Sequence, residues 1–127
     1  MTKEPSLLYL EDTEAGPSSG TVIAKISDLP NHGGKDVLYK SEAFQTNIFV
    51  QKSDDTIHVF ENRCPHAGTP LNMFGEKFLS MDGKHILCRT HGALFDKSSG
   101  KCVGGPCKGM YLRAVAFEIR GNDIISR

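Results

Sequence analysis

The sequence contains no tryptophan and no excess of charge of either sign. It also lacks any apolar run near the roughly 20 residues that span a bilayer. Fifteen Lys and Arg offset fifteen Asp and Glu, which argues against a general nucleic-acid binder or a protein held on an anionic membrane. The opening stretch, MTKEPSLLYLEDTEAG, has no basic start, long apolar segment, twin-arginine pair or small-residue cleavage signal, so a cytoplasmic location is expected. No segment sustains a 3.6-residue apolar period, so helix should be scarce. A hydrolase triad, a phosphate-cradling glycine loop with its lysine, and a dinucleotide fingerprint are all missing.

What is present is 127 residues with thirteen glycines, six prolines and short strand signals. That is enough for one domain, expected over residues 20–127 behind an N-terminal tail, residues 1–19. Within the tail, Leu7-Leu8-Tyr9-Leu10 reads as a short edge segment packing on the body. Strands are expected over Thr21–Ile26, Asp36–Lys40, Thr46–Gln51 and Thr56–Phe60, with Asn31-His32-Gly33-Gly34 as a turn. Two short strand-like pieces follow, Lys77–Ser80 and His85–Leu87. Alternation resumes over Tyr111–Ile119, and Gly121-Asn122 turns the chain into Asp123–Ser126. The pattern predicts an all-β fold, a small antiparallel β-sandwich or barrel, with one loop-rich insert over about 61–110.

The insert carries the chemistry. Cys64-Pro65-His66 and Cys88-Arg89-Thr90-His91 each place a cysteine and a histidine close enough for one tight turn to aim both at a metal. Thiolates suit soft, sulfur-rich centres, and imidazole suits iron, zinc or copper. Gly68, Pro70 and Gly92 supply sharp turns and leave backbone N–H groups free to stabilise negative charge on sulfur. Two Cys and two His also make a tetrahedral zinc site, although each arm here is mixed where zinc fingers usually segregate the two residue types.

CPHAGTPL and CRTHGALFD, with the 21 residues from Ala67 to Leu87 between His66 and Cys88, resemble the C-x-H and C-x-x-H boxes of the Rieske iron–sulfur family. The resemblance covers about residues 21–126. It implies two small antiparallel sheets carrying a cluster-binding insert. It also implies a [2Fe–2S] cluster held by Cys64 and Cys88 on the inner iron and by His66 and His91 on the outer iron. Gly104-Gly105-Pro106 is similar to the family's third loop, which covers the cluster.

Neutral imidazoles in place of two thiolates make an added electron easier to accept, and such centres span roughly −150 to +300 mV. High-potential relatives carry a serine after His-Gly and a tyrosine two positions later, both donors to sulfur. Ala93 and Phe95 stand there instead, and the family's loop–loop disulfide has no cysteines to form it. The resemblance therefore implies a low-potential centre. It also implies an electron carrier, not a catalyst, taking electrons from a flavoprotein reductase and passing them to a terminal oxygenase. The alternatives are a Rieske small subunit of a larger enzyme such as assimilatory nitrite reductase, and a zinc-stabilised interaction module.

Charge is unevenly placed. Residues 61–110 hold seven cations and four acids, while the rest of the chain holds eight cations and eleven acids. The cluster end should therefore be a basic pole, with Arg63 and Arg89 as docking residues for an acidic patch. Phe74, Phe78, Leu94 and Phe95 are expected to floor the site. His32, His58 and His85 have no partner motif and read as ordinary surface or packed side chains. Cys102 and Cys107 flank the covering loop and read as reduced thiols or a redox-sensitive pair.

Overall fold

The computed structural model describes residues 4–30, 33–53, 56–65, 68, 71, 79–88 and 92–127. Among these, helix is confined to two single 3-10 turns, Leu10–Asp12 and Ile26–Asp28, and no helix is long and apolar enough to cross a membrane. The described residues form nine strands in three antiparallel sheets of three. The base sheet orders β1 (Val22–Lys25), β9 (Asp123–Ser126) and β8 (Phe117–Arg120). The middle sheet orders β2 (Gly33–Lys40), β3 (Gln45–Ser53) and β4 (Thr56–Glu61). The third orders β5 (His85–Leu87), β6 (Leu94–Asp96) and β7 (Cys102–Gly104).

The middle sheet explains why Ile48-Phe49-Val50 does not alternate apolar with polar. Both of its faces are covered, and a strand buried on both faces reads as a continuous apolar run. Ile48, Val50, Ile57 and Val59 enter a basal core with Ile23, Ala24 and Ile124 of the base sheet. The intervening Phe49 and Phe60 face the other way, into a second core with Ile86, Phe95 and Leu112. Their rings pair across β3 and β4 with centroids 5.7 Å apart. Fully burying one such side chain stabilises by about 1.5–3 kcal/mol.

The Leu7–Leu10 segment packs as expected. Leu8 bridges Val115 in parallel, its N–H donating to Ala114 O at 2.8 Å and its carbonyl accepting from Ala116 N–H at 2.9 Å. Leu8 and Leu10 are both buried in the basal core.

Three strand expectations need correction. The strand expected from Asp36 begins earlier: Gly33 closes a turn, its N–H donating to Pro30 O at 3.1 Å, and with Gly34 opens β2, paired with Lys52 and Gln51, while residues 31 and 32 lie outside the described residues. The long strand over Tyr111–Ile119 is only Phe117–Arg120. Residues 111–116 instead step from sheet to sheet. Leu112 N–H donates to Gly100 O, Arg113 O accepts from Glu61 N–H, and Val115 N–H donates to Val59 O. Alternation there reflects burial against several neighbours in turn, which a period-2 pattern cannot distinguish from one ladder. β6 and β7 were not anticipated, because three-residue strands between glycines carry almost no periodic signal. Of the Lys77–Ser80 piece, residues 77 and 78 lie outside the described residues, and Leu79 bridges Ile86.

Candidate metal centre

The two cysteine–histidine boxes close in the same way. Cys64 carbonyl accepts from Gly68 N–H at 2.7 Å, and Cys88 carbonyl accepts from Gly92 N–H at 2.9 Å. Each bond spans four residues, and each closing glycine is left-handed, at φ 73° and 74°. That backbone conformation favours glycine because a Cβ would be strained there. His66 and His91 themselves fall outside the described residues, as do Pro70 and Arg89.

Both cysteines are completely buried and belong to one apolar core. Leu71 also lies in that core, and its N–H donates to Asn62 Oδ1 at 2.8 Å. Asn62 is itself anchored to β3, its N–H donating to Asn47 O at 2.9 Å. This buried asparagine thus ties the far end of the first turn back to its start. Sequence reading missed it; an amide side chain just before a C-x-H box was the available signal. On the other side, Cys88 N–H donates to Ala93 O at 2.9 Å, continuing the β5–β6 hairpin to the second turn.

The Gly104-Gly105-Pro106 loop packs against the end of the second box. Gly105, at φ 90°, sits so close to the second box that a Cβ there would lie 2.8 Å from Ala93 Cα and 3.4 Å from Gly92 O. Its base is the hairpin in which Cys102 N–H donates to Met110 O at 2.7 Å and Gly109 N–H donates to Cys102 O at 3.0 Å. Beside the first box, the Arg63 guanidinium reaches to about Gly68, 3.5 Å from where a Cβ would stand. Arg63, Lys84, Lys101 and Lys108 are all exposed.

The floor differs in part from expectation. Phe95 is fully buried in it and Leu94 half-buried, while Phe74 and Phe78 lie outside the described residues. Phe49, Phe60, Ile86 and Leu112 complete it, residues that the sequence marks only as strand. His32 lies outside the described residues. His58 stacks on Phe60 with ring centroids 6.2 Å apart, and its burial lowers its pKa despite the nearby Asp96 carboxylate. His85 sits half-buried in β5, opposite Asp96.

All four cysteines are unbridged and buried. Cys107 Sγ lies 2.9 Å from Cys102 Sγ, toward which its S–H is directed, and Cys102 Sγ donates to Gly104 O at 3.1 Å. Burial pushes the Cys107 thiol pKa up, and its hydrogen bond to Cys102 and the nearby Cys102 and Cys64 sulfurs push the same way.

The donor set fits an iron–sulfur centre on the thiol side. Two buried sulfurs in an apolar pocket, backed by turns and sealed by a loop, are what a soft, water-sensitive centre needs.

The chain belongs to the Rieske [2Fe–2S] domain family, whose model matches residues 19–116. Its domain carries a [2Fe–2S] cluster of the Rieske type. No curated protein matches the chain in sequence. Among solved structures, the ferredoxin of carbazole 1,9a-dioxygenase from Nocardioides aromaticivorans IC177 is 22% identical. It superposes with a TM-score of 0.65 over 86% of this chain and 97% of that one. The terminal oxygenase of carbazole 1,9a-dioxygenase from Novosphingobium sp. KA1 is 16% identical, with a TM-score of 0.69 over 85% of this chain and 29% of its own. A protein provisionally described as the small subunit of an NADPH nitrite reductase is 14% identical, with a TM-score of 0.62 over 87% and 99%. These likenesses establish the fold.

Proposed function

We propose that the chain is a Rieske-type ferredoxin, an electron carrier and not a catalyst, working between a flavoprotein reductase and a terminal oxygenase in the cytoplasm. Residues 20–127 form its redox domain, with 1–19 as an N-terminal extension. Cys64, Cys88, His66 and His91 hold the cluster. One observation carries this reading: two turns with the same Cys-carbonyl to Gly-amide closure bring two fully buried cysteines into one apolar core under a glycine loop. The likeness to a dioxygenase ferredoxin over nearly the whole of both chains supports the carrier role.

The bound cluster supplies a one-electron couple. The chain's own residues do the rest. Cys64 and Cys88 would bind from the buried side, and His66 and His91 would supply the two remaining ligands. Phe49, Phe60 and Phe95 exclude water from below, and the Gly105 loop does so from above. Ala93 and Phe95 are fully buried and offer no side-chain donor to sulfur, which keeps the potential toward the lower part of the Rieske range. Arg63, whose guanidinium lies beside Gly68 of the first box, and Lys108 of the covering loop are both exposed and give this end a basic surface suited to steering toward an acidic partner.

The test is iron and sulfide analysis with paramagnetic resonance of the reduced protein, followed by reduction with a flavoprotein reductase and reoxidation by a terminal oxygenase. Two irons and two sulfides per chain with a midpoint below about +100 mV are expected, given the family span of roughly −150 to +300 mV. Stoichiometric zinc in a colourless protein overturns the reading. The nitrite reductase small-subunit fold match favours one alternative. Co-purification of a stable enzyme complex, where a shuttle dissociates, would select it.

A further inference from the structure

We propose that Cys102 and Cys107 form a dithiol–disulfide couple that locks the covering loop. The inference builds on the cluster-site reading but concerns two cysteines outside the proposed ligand set. The two sulfurs are 2.9 Å apart, hydrogen-bonded to one another, and about 1% exposed. They stand at the two ends of the loop whose Gly105 packs on Ala93 and Gly92. They also share an apolar core with Cys64 and Cys88. Closing the bond requires the sulfurs to approach from 2.9 Å to about 2.05 Å, a sub-ångström movement within a loop already folded back on itself. Met110 N–H donates to Cys107 O at 2.9 Å, and Lys108 N–H donates to Gly105 O at 3.4 Å.

The chemistry is thiol–disulfide exchange with a small-molecule disulfide as oxidant. One cysteine loses its proton and attacks the small disulfide, whose S–S bond breaks as one thiol departs. The second cysteine loses its proton and attacks the resulting mixed disulfide. A second small thiol leaves, and the Cys102–Cys107 bond forms. The protein loses two electrons and two protons, and the small disulfide gains them. Both sulfurs are about 1% exposed, so exchange waits on local opening of the 105–109 turn. Oxidation ties the ends of that turn together, so the lid over the second box opens less often. In the reduced state it lifts more freely.

The test uses the cluster-loaded full chain incubated with glutathione disulfide. Hydrogen–deuterium exchange of the 103–109 amides reports loop opening, and peptide mass mapping reports the thiols. The expected product has lost two hydrogens, carries a Cys102–Cys107 cross-link without retained glutathione, and keeps its cluster absorption. It reverts with dithiothreitol, and exchange of the 103–109 amides slows at least about tenfold when the cross-link forms, as loss of local opening requires. C107S should yield no internal cross-link. Free thiols persisting after the loop amides have fully exchanged overturn the proposal. A cross-link to Cys64 or Cys88 does so too, as does loss of cluster absorption in C102A/C107A, which would make these residues ligands or props of the site. Failure of the cluster reading itself would show separately, as absence of iron from the untreated chain.

Discussion

Gly105→Ala isolates how much the covering loop depends on close approach to the second box. Gly109, in the same loop, is the matched control. The two share almost the same backbone, φ 90° and 92°, but a Cβ at 109 meets nothing within 4 Å, whereas at 105 it meets Ala93 Cα at 2.8 Å. Placing an L-residue in left-handed backbone costs about 1–2 kcal/mol at either site. Only at 105 must two stretches of backbone also move apart, adding about 1–3 kcal/mol as overpacking does. At about 4 °C per kcal/mol for a chain of this size, that difference lowers the thermal midpoint of G105A below that of G109A by roughly 4–12 °C. Because the displaced backbone carries Ala93, whose carbonyl accepts from Cys88 N–H, the cluster should also bleach faster in air. The assay is far-ultraviolet dichroism for the fold and visible absorption for the centre, on the two loaded variants side by side. Equal midpoints and equal bleaching rates would refute the packing argument, since backbone strain alone would then account for both.

The other expectations can be checked on the same footing. L10A removes a fully buried side chain from the basal core and should cost about 2–4 kcal/mol in urea unfolding, with little change in the cluster spectrum, because the basal core does not reach the second box. Asp96 Oδ1 accepts from the hydroxyls and N–H groups of Ser98 and Ser99. The Ser98 hydroxyl foremost lowers its pKa to about 2. Its folded value lies below its unfolded one, so this contribution is present above about pH 4 and lost as pH falls through about 2. D96N should lower stability by about 1 kcal/mol at neutral pH, after allowing for solvent screening of a partly exposed group, and the gap should close on acidification. R63E with R89E should slow electron transfer from the reductase and flatten its salt dependence; unchanged rates would remove the basic docking face. N62A leaves Leu71 N–H without its acceptor and should cost about 1–3 kcal/mol, along with a shifted resonance spectrum of the reduced centre.

Much of this was legible in the residues themselves. The β-branched runs placed β1, β3 and β4 to within a few residues, and the Gly121-Asn122 turn placed the β8–β9 hairpin. Gly68 and Gly92 were identifiable as turn glycines because a cysteine–histidine pair within three residues needs a tight reversal. The split of the middle sheet between two cores was not legible. Ile48-Phe49-Val50 is apolar throughout, and only the third dimension says that Phe49 belongs with the cysteines and its neighbours with the base. β6 and β7 were hidden for a related reason: their pairing is set by the covering loop folding back, a non-local event with no local period. Asn62 was missed because a hydrogen bond to Leu71, nine residues away, leaves no trace in spacing.

The two boxes differ in sequence, with one residue between cysteine and histidine in the first and two in the second, yet their turns close on the same bond. What is held in common is therefore the cysteine, not the histidine. Each cysteine carbonyl is pinned by a glycine amide four residues on. The first turn is pinned again by Asn62, and Cys88 again through its own N–H to Ala93. If the two cysteines hold the cluster as proposed, a group that gains and loses an electron without rearrangement needs them fixed before the electron arrives, and preorganised backbone hydrogen bonds provide that at no cost during transfer. The lid is built differently. Beyond the β6–β7 pairing at its base, it rests on a glycine contact and on its own turns, so a covalent bond between Cys102 and Cys107 could stiffen it without touching the proposed ligands.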